Sequence, residues 1–473
     1  MAEPTPGPSP WAELFRGPLA VTTLLVNLGV TLHAIDIFVI TTVMPTVVAD
    51  IGGVAYYAWA VTLYVVGSIV GAAGFAPLRV ALGDRAAYGA GGLIFLAGTV
   101  ICGLAPDIVV LLVGRTVQGA GAGIAMAGSY AMIGTLFAPR LRPHILTTTN
   151  VTWTIATFIG PTLGGVFADL DWWRGAFWAV IPFVLIFIAV VWWKVPASSQ
   201  RPATDRPAFP FVRLALLAAG IMCVAMSGSV ESVALRALLI AAAIGVVWYS
   251  VRQDARAPNR MFPSHPLSVT RPVGTAFWTQ FLVSVAQTTL YIYPPLVLQA
   301  RGLPALYAGA ANGLLSIGWS CGAGAVTAWK GGLERWALVG GLVVFFIGLA
   351  AMAYDLANVP VWFILLNSFV IGIGVGMQNV HMVAKSIAVA EKGEENITSS
   401  SLATVRSLGV AFGSAISGLV ANMAGLDPNA GAASVVKAVT WVYIWDLVPI
   451  AASLVLMLYF LRMLGRRAPS GAA

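Results

Sequence analysis

Two ionisable side chains lie inside long apolar stretches of this sequence. Asp36 falls within LAVTTLLVNLGVTLHAIDIFVITTVMP, residues 19–45, and Arg115 falls within a later apolar run. A charged group at membrane depth costs roughly 2.5–3.5 kcal/mol, so it usually faces a bundle interior or a watery cavity. Asp36 precedes Pro45 by roughly 13 Å of helix, too far for a short carboxylate to reach the headgroups. We therefore expect Asp36 to bind and release a proton; the alternative is a helix-end acid.

His33 stands one helical turn before Asp36 and on the same face. An isolated histidine titrates near pH 6.5. His33 could therefore share the proton with Asp36, or it could be a hydrogen-bonded packing residue.

The composition places these groups in a polytopic membrane protein. The chain has 473 residues, of which 59% are hydrophobic and 9% are charged, and its mean hydropathy is +0.88. A soluble domain does not tolerate that balance. The net charge of +8 comes from basic residues at helix ends, so it indicates topology and not nucleic-acid binding. The three cysteines show no metal-ligand spacing, and we expect neither a metal nor a cofactor.

Apolar runs of spanning length predict about fourteen transmembrane helices. The first six lie at 18–45, 54–78, 87–105, 108–136, 145–169 and 175–194. Two extra spans lie at 211–229 and 234–251, and six more at 272–299, 305–329, 336–354, 359–385, 400–424 and 439–464. The predicted organisation is a cytoplasmic segment 1–17, a six-helix bundle 18–194, a connector 195–271 with the extra pair as a lipid-facing spacer, a second six-helix bundle 272–465 and a cytoplasmic tail 466–473. Two parallel repeats of six helices are typical of a transporter.

The positions of the basic residues predict the orientation. With the N-terminus in the cytoplasm, all but five of the 26 lysines and arginines lie at cytoplasmic helix ends. The exceptions are Arg115, Arg174, Arg236, Arg301 and Lys437. Both termini are therefore expected to be cytoplasmic.

Four motifs carry a resemblance to a known family. They are PLRVALGDRAAYG (77–89), RTVQGAGAG (115–123), IGPTLGG (159–165) and VRSLGVAFG (405–413). Together with Asp36 they resemble the drug:proton antiporter branch of the major facilitator superfamily with fourteen helices, over nearly the whole chain. The first motif departs from the family pattern, because Val80 replaces its first glycine and Ala87-Tyr88-Gly89 replaces the later Gly-Arg-Arg.

The resemblance implies roles for particular residues. The family fold places the fourth helix beside the first, so Asp36 is the expected partner of Arg115. A cation stabilises an ionised carboxylate, while desolvation favours the neutral acid. A motion that separates Asp36 from Arg115 would therefore change the proton affinity of Asp36. A static structural ion pair is the alternative. The motif residues expected to act in the conformational change are Asp84, Arg85, Gln118, Gly119, Gly160, Pro161, Gly164, Gly165, Arg406 and Gly409.

Two of these motif elements carry more specific expectations. The helix that begins near Ser399 should meet Asp84 in the state open to the outside. The glycines and the proline of IGPTLGG indicate a kinked, closely packed fifth helix.

Polar and aromatic residues recur at helical spacing on helices that line the cavity in this family. The candidate substrate-cavity residues are Asn150, Trp153, Thr157, Gln280, Ser284, Gln287, Tyr291, Tyr293, Asn367, Gln378 and Asp446. Such side chains could instead bond to neighbouring helices. Few acids accompany them, so neutral lipophiles, monocations or weak acids are easier to accommodate than dications.

The sequence and the resemblance together predict a proton-coupled exporter of lipophilic small molecules, including drugs, that acts as a monomer in a bacterial inner membrane. The alternatives are a dedicated exporter of one metabolite or lipid-like compound, a proton-coupled importer and a non-transport membrane protein. Neither an HExxH motif nor a GxxxxGK[ST] loop occurs in the sequence, so we expect neither an enzyme nor an ATP-driven pump.

Overall fold

The computed structural model describes residues 10–138, 140–196, 210–354, 356, 359–427 and 431–467. Every regular element in this part of the chain is helical, which confirms the predicted all-α class.

The N-terminal bundle comprises α1 (Pro10–Leu14), α2 (Gly17–Ile51), α3 (Trp59–Leu82), α4 (Asp84–Gly103), α5 (Ile108–Leu136), α6 (Arg142–Asp169), α7 (Trp173–Trp178) and α8 (Ile181–Lys194). Pro45 lies inside α2, and the helix continues six residues past the predicted end of the span. A proline is tolerated inside a membrane helix because neighbouring helices satisfy the backbone groups that it frees.

The connector forms α9 (Phe211–Ser227) and α10 (Val233–Asp254). The C-terminal bundle comprises α11 (Pro272–Ala300), α12 (Ala305–Ala308), α13 (Ala310–Val326), α14 (Gly332–Tyr354), α15 (Val361–Ala388), α16 (Glu395–Met423) and α17 (Ala432–Arg467).

Twelve stretches of the described chain are long and apolar enough to cross a membrane. The two remaining predicted spans are realised as shorter helices. One is α9, with 17 residues, and the other is divided at Gly309 into α12 and α13. Twelve spans are therefore established by length and composition, and the count of fourteen stays a prediction.

The two bundles repeat the same close helix contact between their second and fourth spans. In the first bundle, a methyl group on Gly71 or Gly119 would overlap the backbone of the facing helix, α5 or α3. In the second bundle, Gly318 and Gly372 stand in the same relation between α13 and α15. Small residues let membrane helices approach this closely, so the repeat follows from the glycine spacing.

Hydrogen bonds between the bundles concentrate at one end of the molecule, which we call the closed end. It carries the α2–α3, α6–α7, α11–α12 and α16–α17 turns. There the Ser414 hydroxyl donates to the carbonyl of Ala58 at 2.7 Å, and Gln299 Nε2 donates to the carbonyl of Thr42 at 3.0 Å. Asp169 accepts from the amides of Ala305 and Leu306 at 2.7 and 3.2 Å, which caps α12 from the other bundle.

The extra helix pair is more than a lipid-facing spacer. As predicted, α10 is largely exposed, but α9 packs against both α3 and α16, across the junction of the two bundles. At the closed end the amide of Asn422 donates to the carbonyls of Ala55 and Gly228, which joins both bundles to the connector. The spacer prediction considered the polarity of these helices, which does not reveal a contact made by apolar surface.

The connector is also anchored to the start of α16 by Glu394. This carboxylate accepts from the amide and hydroxyl of Ser264, at 2.8 and 2.7 Å, and from Arg260 at 2.8 Å. Partial burial by itself would raise the pKa of Glu394, but these hydrogen bonds and the Arg260 charge together hold the pKa below its usual range.

Candidate functional site

Asp36 and Arg115 form a buried ion pair between α2 and α5. Asp36 Oδ2 lies 2.5 Å from Arg115 Nη1, and the two residues are 1% and 0% exposed. A guanidinium is always protonated, so its position beside Asp36 favours the ionised carboxylate in this conformation. Breaking such a pair by removing one partner typically costs about 3–5 kcal/mol, since the other charge is left buried.

Further contacts of Arg115 connect the pair to neighbouring helices. Nη1 also donates to Gln118 Oε1 at 2.5 Å, and Gln118 Nε2 in turn donates to the hydroxyl of Thr99 at 3.0 Å. Nε donates to the carbonyl of Ala60 at 3.2 Å, and the guanidinium carbon lies 4.3 Å from the ring centroid of Tyr64. Because Ala60 and Tyr64 belong to α3, Arg115 holds α3 and α5 together as well as neutralising Asp36.

His33 links this pair to the space between the bundles. Its Nδ1 lies 3.2 Å from the hydroxyl of Tyr64, whose ring contacts Arg115. On its other side, His33 meets the indole of Trp153 edge-on, with centroids 5.9 Å apart. The chain of contacts from Trp153 through His33 and Tyr64 to Arg115 is continuous, so a change at one end can reach the other.

Aromatic residues from both bundles meet in the space between them. Phe38 of α2 contacts Tyr291 of α11 edge-on, with centroids 5.5 Å apart. Gln287 lies one turn before Tyr291 and donates to its hydroxyl at 3.4 Å. Arg406 of α16 lies over the ring of Trp319, 5.5 Å from its centroid. Aromatic rings and a few polar groups therefore meet between the bundles, a composition typical of sites that bind flat apolar molecules.

The remaining predicted cavity residues of the N-terminal bundle and of α11 are mostly engaged within helices. Thr157 donates to the carbonyl of Thr154, and Ser284 donates to that of Gln280. Gln280 is buried and its Oε1 has no hydrogen-bond partner among the described residues. The side chain of Asn150 lies outside the described part of the chain.

Asn367 and Gln378 are placed away from this space. The amide of Asn367 donates to the carbonyl of Gly348 in α14 at 2.8 Å, and Gln378 packs against Gly341 of the same helix. These contacts do not place them in the space between the bundles in this conformation, and their role in a cavity stays a prediction. The polar stripe was real, but helical spacing does not indicate which neighbouring helix a stripe faces.

Asp446 is enclosed in the C-terminal bundle. It is 1% exposed, and its Oδ2 lies 2.5 Å from the hydroxyl of Thr289. That hydroxyl also lies 2.7 Å from the carbonyl of Ala286, and a hydroxyl has only one proton to donate. Oδ1 has no partner in the described structure, and Tyr293, also predicted to line the cavity, is fully buried nearby. A carboxyl group without a cation at such a place is best accommodated as the neutral acid.

The motif residues mostly form close packing contacts. Gly160 and Gly164 lie against Phe38 and Val39 of α2, as a closely packed fifth helix requires. Gly165 instead faces Leu306 of the other bundle, so IGPTLGG forms part of the closed end. Gly119 and Gly409 likewise lie against α3 and α11, while Pro161 lies next to Gly309.

The loop motif forms local contacts in this conformation. Asp84 is paired with Arg79, and Arg85 Nε donates to the carbonyl of Val195 at 2.6 Å. The expected contact of Asp84 with the start of α16 belongs to another conformation, in which the two bundles separate at the end that is closed here. It therefore stays a prediction.

Sequence reasoning missed several residues of the site. Tyr64, Phe38 and Trp319 were not selected, because an aromatic residue in an apolar helix gives no signal that separates packing from binding. Asn312 could have been found, as a lone amide in an apolar run. It is fully buried and donates to the carbonyl of Tyr291 at 3.1 Å.

Comparisons with known proteins identify the family. A family model described as Major Facilitator Superfamily matches residues 26–332. A probable multidrug-efflux transporter of Mycobacterium tuberculosis is 29% identical over 437 residues, covering 88% of this chain and 90% of that protein. The multidrug transporter protein MdtP of Bacillus subtilis is 26% identical over 425 residues, covering 85% and 75%.

Solved structures show the same fold. A D-xylose–proton symporter superposes with a TM-score of 0.66 at 14% identity, covering 93% of this chain and 97% of that chain. The Escherichia coli xylose transporter XylE, in a partially occluded inward-open conformation, gives 0.61 at 15% identity, with coverage of 94% and 99%. With the family match over more than half of the chain, these findings establish that this multi-pass membrane protein belongs to the Major Facilitator Superfamily.

Proposed function

We propose that this protein is a proton-coupled exporter of lipophilic small molecules that works by alternating access. Relatives named multidrug transporters support the export of such compounds. The observation that carries proton coupling is the Asp36–Arg115 ion pair, which is enclosed inside the N-terminal bundle and yet connected to the space between the bundles.

Protonation of Asp36 would leave the guanidinium of Arg115 without its counter-ion. Arg115 contacts the carbonyl of Ala60 on α3, and α3 bonds across to α16 two residues away, where Thr62 donates to Ser414 at 2.9 Å. A shift of Arg115 would therefore act directly on a segment that holds the bundles together. In this proposal the protonated and ionised forms of Asp36 favour different positions of α3, and so different states of the closed end.

His33 and Trp153 supply the connection to substrate. Trp153 precedes Thr154, whose hydroxyl lies 3.5 Å from that of Ser320 in the other bundle. In this proposal a molecule that displaces the ring of Trp153 would also move His33. In this proposal His33 passes the proton between that space and Asp36, so substrate and proton compete. With the predicted orientation the closed end faces outward, so in this proposal substrate reaches the space from the cytoplasm.

The proposal is tested with inside-out vesicles that contain the purified protein and an imposed inside-acid pH gradient. We expect rhodamine 6G, or another flat lipophilic dye, to accumulate, and the accumulation to collapse when nigericin removes the gradient. Vesicles with Arg335→Gln, which changes an exposed arginine at the start of α14, are the matched control and should behave as wild type. Accumulation that is unchanged without a gradient would contradict proton coupling.

A dedicated exporter of one metabolite is the alternative. It would use the same ion pair and would differ only in the space between the bundles. Proton-driven movement of several unrelated dyes favours the multidrug function, whereas movement of none in well-folded vesicles favours a dedicated substrate.

A further inference from the structure

Between the bundles lies an arginine that makes no ion pair with any described residue. Arg406 projects from α16 and is partly exposed. Its guanidinium lies over Trp319 of α13, and Tyr291 of α11 and Tyr130 of α5 are close enough to interact with its charge. Since α5 belongs to one bundle and the other helices belong to the second, Arg406 lies at the boundary between them.

Arg406 differs from the other arginines held inside the protein. Arg115 is paired with Asp36, and Arg213 is paired with Asp254. Within the described residues, Arg406 makes neither an ion pair nor a hydrogen bond. Its neighbours are aromatic rings and neutral phenols, which stabilise a cation without neutralising it.

Because no described residue pairs with this guanidinium, a ligand can take that place. It has five N–H donors in a planar fork, and that fork matches the two oxygens of a carboxylate or the oxygens of a sulfonate. Water can solvate it while the space is open to one side. When the bundles close around a ligand, water leaves, and an uncompensated charge then costs several kcal/mol unless the ligand brings the opposite charge.

The other charges of the site favour the same sign of ligand. Asp36 is neutralised by Arg115, and Asp446 is enclosed with Thr289 in the C-terminal bundle. A cationic ligand would therefore meet Arg406, and neither of these two carboxylates would be free to pair with it. The rings of Phe38 and Tyr291, which meet across the bundles, suit a flat apolar body attached to the anionic group.

We propose that Arg406 binds the anionic group of flat lipophilic organic acids, so that aromatic carboxylates and sulfonates are preferred over cations of the same shape. This inference rests on the proposed export function and specifies its substrate class. Arg406 holds the acid group, Trp319 and Tyr291 contact the rings, and closure around the ligand neutralises the charge.

Two dyes with the same three-ring frame and opposite charge provide the test. Fluorescein is an anionic carboxylate, and rhodamine 6G is a cationic ester. Binding to the purified protein is measured by fluorescence polarisation, and transport is measured in inside-out vesicles. The variants are Arg406→Gln, which removes charge and fork, and Arg406→Lys, which keeps the charge but loses the fork. Arg335→Gln is the control for a lost surface charge.

We expect wild type to bind fluorescein at least tenfold more tightly than rhodamine 6G. Arg406→Gln should weaken fluorescein binding at least tenfold, with Arg406→Lys intermediate, and should leave rhodamine 6G binding unchanged or tighter. Thermal unfolding of each variant confirms that it is folded. Equal loss for both dyes would indicate a structural role and would overturn the inference, as would tighter binding of the cation by wild type.

The two proposals can fail separately. If fluorescein binding depends on Arg406 but no dye moves with a proton gradient, the anion site stands and the export function fails. If rhodamine 6G is exported and fluorescein does not bind, the export function stands and the anion site is overturned. If neither dye binds, the anion site is overturned.

Discussion

Replacing Asp169 by alanine should weaken the closed end of the protein. Asp169, at the end of α6, accepts from the amides of Ala305 and Leu306 and so caps α12 of the other bundle. Loss of an N-cap of this kind costs about 0.5–2 kcal/mol. Because the bond exists only while the bundles meet here, that energy is lost from the closed state alone. The ratio of closed to open molecules should then fall about 2- to 30-fold, since each 1.4 kcal/mol corresponds to a factor of ten.

The population shift can be measured by double electron–electron resonance in a cysteine-free background. Spin labels at Ala49 and Tyr354 report the separation of the bundles, because both positions are exposed and lie at the closed end of different bundles. We expect Asp169→Ala to increase the long-distance population.

Asp107→Ala is the matched control for that measurement. Asp107 caps α5 at the same end by accepting from Val110 at 2.9 Å, but within one bundle. Its loss should lower stability without changing the distances. An unchanged distance distribution in Asp169→Ala, or an equal shift in the control, would refute the reasoning.

Three further predictions concern single residues. Gly165→Ala should also populate the open state, because a methyl group would overlap Leu306 and overpacking costs about 1–3 kcal/mol. The control Gly245→Ala, in open space on α10, should behave as wild type in the same distance measurement. Glu394 stabilises the fold above its unfolded-state pKa and loses that contribution as the pH falls through its lowered folded-state pKa. Wild type should therefore lose thermal stability more steeply below about pH 4 than Glu394→Gln does. Asp446→Asn should retain the wild-type melting temperature, because asparagine resembles the neutral acid in shape; a large rise would show that the wild-type carboxyl is ionised and unpaired.

Much of the architecture could be predicted from the sequence, because hydropathy and helix length follow directly from composition. The predicted limits of most spans agree with the helices within a few residues. The exceptions follow from tertiary context, since α2 continues past Pro45 and the run at 305–329 is divided at Gly309. The contact of α9 with both bundles was missed, because nothing in its composition distinguishes a lipid-facing surface from a protein-facing one.

The candidate site was predicted in part. Asp36 and Arg115 were expected to meet because the family resemblance places the fourth helix beside the first, and they do meet. The destinations of Asn367 and Gln378 could not be read from helical spacing, because a polar stripe can face α14 as readily as the central space. Arg406 was predicted to act in the conformational change. That it makes no ion pair among the described residues became apparent only when the surrounding helices were in place.

Proton coupling through Asp36 is tested most directly by separating exchange from uphill transport. In proteoliposomes, exchange of internal for external dye requires only alternating access, whereas accumulation against a gradient requires the proton. Asp36→Asn leaves Arg115 unpaired, so a double variant with Arg115→Gln removes both charges and guards against unfolding. We predict that both variants exchange dye but do not accumulate it under an imposed pH gradient. Accumulation at the wild-type level in either folded variant would contradict the assignment of Asp36 as the coupling acid.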